Sequence, residues 1–87
     1  MSSIPFEEAP DGEIMAWLGG RLRALRRARK LSILEVAERT GLSRKTVGRA
    51  EAGENPTLAT LVQLLRVHGR LGGLEDLVPE VALSPLE

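Results

Sequence analysis

The stretch SILEVAERTGLSRKTVGRAEAG, residues 32–53, decides the fold. It opens with the spacing of a capping box, in which a Ser hydroxyl accepts the third backbone N–H of a helix and a Glu carboxylate accepts the N–H of that Ser. Gly41 can adopt the left-handed conformation that ends such a helix. Ser43 is a good N-cap for a second helix, which should end near Gly53. Two short helices joined by a tight turn with a glycine form a helix-turn-helix.

The second helix of this pair has an apolar side and a cationic side. At about 100° per residue, Val47 and Ala50 fall on the apolar side. The cationic side consists of Arg44, Lys45, Gly48 and Arg49. A glycine inside a helix costs about 1 kcal/mol relative to alanine, and close approach to a base edge or a phosphate is one reason for it. Because Arg and Lys can donate two hydrogen bonds to guanine in the major groove, we expect this side to contact DNA bases. The alternative is that the charges are ordinary solvated side chains.

Further residues are expected to contact the DNA backbone. Hydroxyls, cationic side chains and the backbone N–H groups of helix N-termini all bind phosphate. The residues in question are Ser32, Ile33, Ser43, Thr46, Arg23 and Lys30. Arg21 and Arg29 are additional cationic candidates, provided that they face outward.

The charge of the chain is unevenly distributed, although the net charge of the 87 residues is zero. Residues 21–50 carry ten Lys or Arg against two acids. Residues 1–20 carry four acids and no base, and residues 51–87 carry six acids and two bases. A basic middle between acidic ends is the electrostatic pattern expected of phosphate contact. An Arg-rich solvated helical face is the alternative reason for it.

The pattern is weaker on the N-terminal side. Residues 1–12 hold prolines, serines and a glycine without an apolar period, and we expect a flexible arm there. A short apolar turn over 13–18 leads to two glycines at 19–20, which should weaken any continuous helix. An Arg-rich helix ending near Lys30 follows. Its apolar stripe consists of Leu18, Leu22 and Leu25.

On the C-terminal side, Asn55-Pro56-Thr57 ends one element and caps the next. We expect a helix from residue 58 to about residue 68, whose buried side consists of Leu58, Leu61, Leu64, Leu65 and His68. A last short helix over residues 71–78 is closed by Pro79. The chain therefore divides into an arm (1–12), a DNA-binding domain (13–79) and an extended tail (80–87).

Several classes of function lack support in the sequence. The chain has no cysteine, which excludes disulfides and thiolate metal sites. Its one histidine, His68, stands at an apolar position, so we expect a buried structural residue rather than a ligand or a catalytic base. We expect no enzyme activity, no metal and no cofactor. No apolar run approaches the roughly 18 residues of a membrane span, which favours a soluble cytoplasmic protein associated with the nucleoid.

Several pieces in order carry a family resemblance between Leu18 and about Leu77. They include VAERTGLS at 36–43, EAG at 51–53 and PTLATL at 56–61. On these residues the chain resembles the Cro/phage-repressor-type (XRE) helix-turn-helix regulators. The resemblance implies an all-α, compact, five-helix lambda-repressor-like bundle that binds double-stranded DNA. It also implies a structural pair between Arg26 and Glu51.

One position departs from the family pattern. Where the family usually has a phosphate-contacting Gln, this chain has Ile33, followed by Leu34. The side chain of Ile33 cannot donate a hydrogen bond, so phosphate contact there depends on backbone N–H groups, and we expect a lower affinity. The two apolar residues either mark a protein contact or pack beneath Trp17 or the arm.

Three functions stay open at this point. The first is a repressor that binds a palindromic operator as a homodimer. The second follows from the C-terminal part, 67–86, which resembles the ends of HipB-type antitoxins; it implies a protein that neutralises a HipA-like kinase toxin and represses its own operon. The third is a helix-turn-helix that serves protein contact alone. For the dimer interface we expect the last helix and the tail, which otherwise expose Leu74, Leu77 and Val81.

Overall fold

The computed structural model describes residues 4–82 and is all-helical over that range. Its five α-helices are α1 (Asp11–Ala28), α2 (Ile33–Thr40), α3 (Arg44–Glu51), α4 (Leu58–Val67) and α5 (Leu74–Leu77), with a 3-10 turn, Leu71–Gly73, before α5. The predicted all-α, five-helix bundle is confirmed. The parts of the predicted arm and tail at 1–3 and 83–87 lie outside the described residues.

Helix α1 differs from the prediction in its length. It begins at Asp11, inside the predicted arm, runs unbroken through both glycines and ends at Ala28 rather than near Lys30. The expected weakening at the Gly pair was wrong because tertiary contact outweighs the low helix propensity of Gly19. A Cβ placed on Gly19 would lie 2.6 Å from the carbonyl oxygen of Glu51 and 2.7 Å from that of Ala50. The glycine therefore lets α1 pack directly against the backbone at the end of α3.

The described part of the arm, residues 4–10, is not detached from the domain. Phe6 packs edge-on against Trp17 of α1, with 4.8 Å between the ring centroids. Such an aromatic pair adds attraction beyond the apolar area that it buries. Phe6 therefore lies against the first helix of the domain.

The turn between α2 and α3 follows the predicted chemistry. The Ser32 hydroxyl accepts the N–H of Glu35 at 3.0 Å, and the Glu35 carboxylate accepts the N–H of Ser32 at 2.9 Å, which confirms the capping box. Gly41 has a φ of 80° and ends α2 in the left-handed conformation. The Ser43 hydroxyl then caps α3 by accepting the N–H of Thr46 at 3.0 Å. These caps define where α2 ends and α3 begins.

The core is formed by residues of α1, α2, α3 and α4 and of the turn before α2. Its buried apolar residues are Leu22, Leu31, Val36, Ala37, Val47, Ala50 and Leu64. The predicted core position Leu58 is wrong, since this side chain is 82% exposed. Leu58 is the first residue of α4. It lies beyond the part of the apolar stripe that packs against the core, which contains Leu61 and Leu65. His68, by contrast, is buried as predicted.

The C-terminal segment is short and poorly covered. Instead of one helix over 71–78, the chain forms the 3-10 turn and the four-residue helix α5, and residues 79–82 have no regular structure. Leu77, Val78 and Val81 are 69%, 76% and 74% exposed. This segment therefore leaves an apolar surface on the single chain.

Candidate nucleic-acid interface

Helix α3 is held in place by a bidentate ion pair at its end. Arg26 of α1 donates from Nε to Glu51 Oε2 at 2.8 Å and from Nη2 to Glu51 Oε1 at 2.9 Å. Its Nη1 also donates to the carbonyl of Leu31 at 3.0 Å, ahead of α2. The two side chains are 10% and 6% exposed. The structure thus brings together the pair that the resemblance implies, and it ties α1, the start of α2 and α3 to one another.

The predicted base-contacting residues share the outer face of α3. Arg44, Lys45 and Arg49 are exposed. A Cβ built on Gly48 would meet nothing within 4 Å in the described chain. Packing inside the molecule therefore does not explain Gly48, although it does explain Gly19. The face combines three cations with a stretch of backbone that a second molecule can approach closely.

Arg49 has an acidic neighbour just beyond the helix. Its Nε lies 3.6 Å from Glu54 Oε1, and both side chains are more than half exposed. An exposed pair of this kind contributes at most about 1 kcal/mol. Arg49 can therefore exchange Glu54 for a phosphate or a base at little cost.

The hydroxyls predicted to contact the DNA backbone are already used within the helices. Ser32 and Ser43 cap α2 and α3, and the Ser43 hydroxyl also donates to Thr46 Oγ1 at 2.9 Å. The hydrogen of the Ser43 hydroxyl is thus already used, whereas the Ser32 hydroxyl only accepts and keeps its hydrogen for an outside acceptor. Thr46 accepts from Ser43, which leaves its own hydroxyl hydrogen available to an outside acceptor.

Ile33, which the sequence assigned to contact with the DNA backbone, lies close to Gly48 on the outer face of α3. The side chain is partly buried and packs against the core. Together with Arg23, Arg26, Gly48, Glu51 and Ala52 it lines a hollow of about 160 Å³. Trp17 instead contacts Phe6 and Arg21, so the structure does not bear out the alternative in which Ile33 packs beneath Trp17.

Comparison with known families agrees with this geometry. Residues 17–78, which are most of the chain, match the model of a helix-turn-helix domain family. The chain belongs to this helix-turn-helix family. The match supports a DNA-binding regulator, and it spans the five helices apart from the first turns of α1. No curated protein sequence matches the chain in the corresponding search.

Two exposed arginines of this helix-turn-helix protein also make contacts within the chain. Arg29 donates from Nη1 to the carbonyl of Val67 at the end of α4, and the same nitrogen lies 3.3 Å from His68 Nδ1. Arg21 lies over the Trp17 ring, 5.1 Å from its centroid. All four cationic candidates for phosphate contact are nevertheless exposed, namely Arg21, Arg23, Arg29 and Lys30. Lys30 has a φ of 57°, a left-handed conformation in the turn after α1.

His68 is a structural residue in this arrangement. It is 7% exposed, and burial and then the Arg29 guanidinium lower its pKa, against a smaller opposing effect of Glu51. Because a guanidinium offers no acceptor, the Nδ1 atom that faces Arg29 is the unprotonated ring nitrogen. Over residues 4–82, no group of three His or acidic side chains is placed to hold a metal ion. None of the helices in this range is both long enough and apolar enough for a membrane span.

Proposed function

We propose that this helix-turn-helix protein is a sequence-specific repressor that binds a palindromic operator as a homodimer. The observation that carries the proposal is the outer face of α3, where Arg44, Lys45 and Arg49 surround a glycine with open space beyond it. The Arg26–Glu51 pair holds that face in one orientation, which sequence-specific contact requires.

The proposed roles follow from position. Arg44 and Lys45, on the first turn of α3, donate to base edges, and Arg49 reaches a base or a phosphate. The backbone is contacted by the N-termini of α2 and α3, through Ser32, Ile33, Ser43 and Thr46, and by the cations Arg23 and Lys30. In a symmetric dimer the two α3 helices would enter major grooves about 34 Å apart.

The first test is selection of fragments of the source genome by the purified protein at about 150 mM salt, where non-specific binding is weak. Enrichment of one palindrome is the expected result. A folded protein that enriches no sequence would overturn the proposal.

A second test assigns the base contacts. We expect Arg44→Ala to relax the preferred sequence at one position per half-site, at a cost of about 1–3 kcal/mol. Lys30→Ala is the control, since loss of a phosphate contact weakens all sequences alike and lowers the salt dependence of binding by about one unit of slope. Unchanged sequence preference in Arg44→Ala would show that α3 does not contact the bases as proposed.

Gly48→Ala separates DNA contact from folding. Because the added methyl group meets nothing within 4 Å, the substitution should raise the free energy of unfolding by about 0.5–1 kcal/mol. The same methyl group lies on the DNA-facing side and should weaken operator binding at least tenfold. Gly20→Ala, which also has open space around it, should stabilise the fold without weakening DNA binding. Equal operator binding by Gly48→Ala would show that no base or phosphate closely approaches Gly48.

A second candidate function is an antitoxin that binds a HipA-like kinase and represses its own operon. The exposed apolar residues Leu77, Val78 and Val81 favour a protein partner at the C-terminal end. The test is whether the product of a neighbouring kinase gene co-purifies with the protein and loses activity when bound. A protein that is homodimeric through this surface and binds no kinase would support the repressor alone.

A further inference from the structure

The hollow between α1, the start of α2 and the second half of α3 has a chemistry of its own. Two of the six residues that line it, Arg26 and Glu51, are bonded to each other and nearly buried. The groups that remain are the aliphatic side chain of Ile33, the methyl group of Ala52, the bare backbone of Gly48 and the exposed Arg23. The hollow thus has an apolar wall at Ile33 and Ala52, the Arg26–Glu51 pair at another side and a cation at one edge.

We propose that this hollow receives the 5-methyl group of a thymine, which makes Ile33 a specificity-determining residue. The inference rests on the proposed DNA binding and adds a second means of base recognition to the hydrogen bonds from α3. Thymine is the base that presents an apolar group in the major groove, and apolar side chains recognise it by contact with that methyl group.

The placement of the hollow supports this assignment. Gly48 belongs to the outer face of α3, one helical turn after Arg44, so a base beside Gly48 is a neighbour of the base that Arg44 contacts. Since Gly48 has no side chain, the base edge can come close enough for its methyl group to touch Ile33. A Cβ at residue 48 would occupy part of this space, which is otherwise open.

The charges around the hollow fit a base within a duplex. Arg23 lies at the edge of the hollow and is exposed, so it can contact the phosphate of the same strand. The Glu51 carboxylate does not repel that strand strongly, because Arg26 binds both of its oxygens. A polar base edge against Ile33 would have to give up water without gaining a hydrogen bond from that side chain, whereas a methyl group would not.

The experiment removes the methyl group from the DNA and not from the protein. In the selected operator, each thymine is replaced in turn by deoxyuridine, which pairs identically and lacks only the 5-methyl group. Binding of each duplex to the full chain is measured by fluorescence anisotropy. We expect one thymine position of the half-site to show about a fourfold rise in Kd when it is replaced in one half-site alone, as expected for one buried methyl-sized group.

The variants assign the effect to Ile33. Ile33→Ala should bind the thymine and deoxyuridine duplexes alike at that position, and Ile33→Val should retain part of the difference. Leu34→Ala is the matched control, since Leu34 is the next residue, is 49% exposed and does not line the hollow. It should discriminate as the wild type does. Thermal unfolding of each variant shows whether it is folded, and the scan on the wild-type protein depends on no variant.

Each result decides the proposal. A selected operator with no thymine in its half-sites, a deoxyuridine scan without effect, or an Ile33→Ala protein that still discriminates would overturn it while leaving the repressor function intact. If no operator is selected at all, the proposed function fails and this inference fails with it.

Discussion

The helix-turn-helix and the C-terminal segment of this protein are stabilised to very different degrees. Between α1 and α3, a nearly buried ion pair, a backbone contact at Gly19 and two side-chain caps act on a few dozen residues. After α4, up to residue 82, the described chain has a four-residue helix without a side-chain cap and three apolar side chains that are at least two-thirds exposed. One region completes its contacts within the chain, and the other does not.

This difference assigns a separate task to each region. A face that reads base sequence has to be rigid before it binds, because side chains that are ordered on binding reduce affinity and selectivity. An apolar surface that the chain leaves uncovered gains free energy when a second molecule covers it. We therefore expect substitutions between α1 and α3 to change folding, and substitutions after α4 to change assembly.

The largest expected effect is loss of the Arg26–Glu51 pair. Glu51→Ala leaves a guanidinium nearly buried without its carboxylate, which should lower the free energy of unfolding by about 3–5 kcal/mol. The measurement is chemical denaturation followed by circular dichroism. Glu54→Ala is the matched control, because the exposed Arg49–Glu54 pair should contribute no more than about 1 kcal/mol. Similar losses for the two variants would contradict the distinction between a rigid scaffold and a solvated surface.

The next largest effect is the difference in stability between alanine substitutions at two adjacent glycines. A Cβ on Gly19 would lie less than 3 Å from three backbone atoms, whereas a Cβ on Gly20 would meet nothing within 4 Å. Backbone cannot move aside as a flexible side chain can, so Gly19→Ala should cost about 1–3 kcal/mol. Gly20→Ala should instead stabilise α1 by about 0.5–1 kcal/mol. Thermal unfolding of both variants measures the two signs, and a stabilised Gly19→Ala protein would show that α1 does not pack closely on α3.

A smaller effect concerns pH at the point where the two regions meet. The folded pKa of His68 is lowered by burial and by Arg29, so the unfolded chain binds a proton more readily than the folded one. The stability that this gives is fully present above the ordinary His pKa of about 6.5 and is lost as the pH falls through the lower folded value. Between pH 7.5 and 5, His68→Gln should lose less stability than the wild type. If the melting temperatures of the two proteins fell equally between pH 7.5 and 5, His68 would not be a buried neutral residue.

The sequence was sufficient for the elements that local chemistry controls. The capping box at Ser32 and Glu35, the left-handed Gly41 and the N-cap Ser43 each act within four residues, and all three are present in the structure. The spacing of α2 and α3 follows directly from them. The cationic face of α3 also follows from helix period alone, since it needs no knowledge of neighbouring elements.

Features that depend on distant contacts were not predictable in this way. The two neighbouring glycines of α1 look alike in sequence, and what separates Gly19 from Gly20 is the carbonyl of Glu51, more than thirty residues away. Leu58 has the period of a core residue, but nothing at the start of α4 covers it. The hollow beside Ile33 is formed by residues of three helices, and its shape could not be predicted from any one of them. The sequence indicated only that Ile33 is apolar where the family usually has a polar residue.

The smallest expected effect on folding comes from the C-terminal segment, and it tests the comparison most directly. Leu77 is 69% exposed in the single chain, so Leu77→Glu should change the stability of the monomer by no more than about 0.5 kcal/mol. Leu77 also lines an apolar groove of about 430 Å³ with Phe6, Trp17 and Leu74, which the proposed homodimer would cover. A charge placed there should dissociate the dimer.

Sedimentation at several concentrations distinguishes these outcomes for Leu77→Glu. The wild type should sediment as a dimer with a melting temperature that rises with concentration, and the variant as a folded monomer whose melting temperature does not. Leu58→Glu is the matched control, because Leu58 is 82% exposed and does not line the groove, so this variant should stay dimeric. If Leu77→Glu remained dimeric, the interface would lie outside this groove. If it unfolded, the C-terminal segment would be part of the scaffold, and the two regions would not be separable in the way that their contacts indicate.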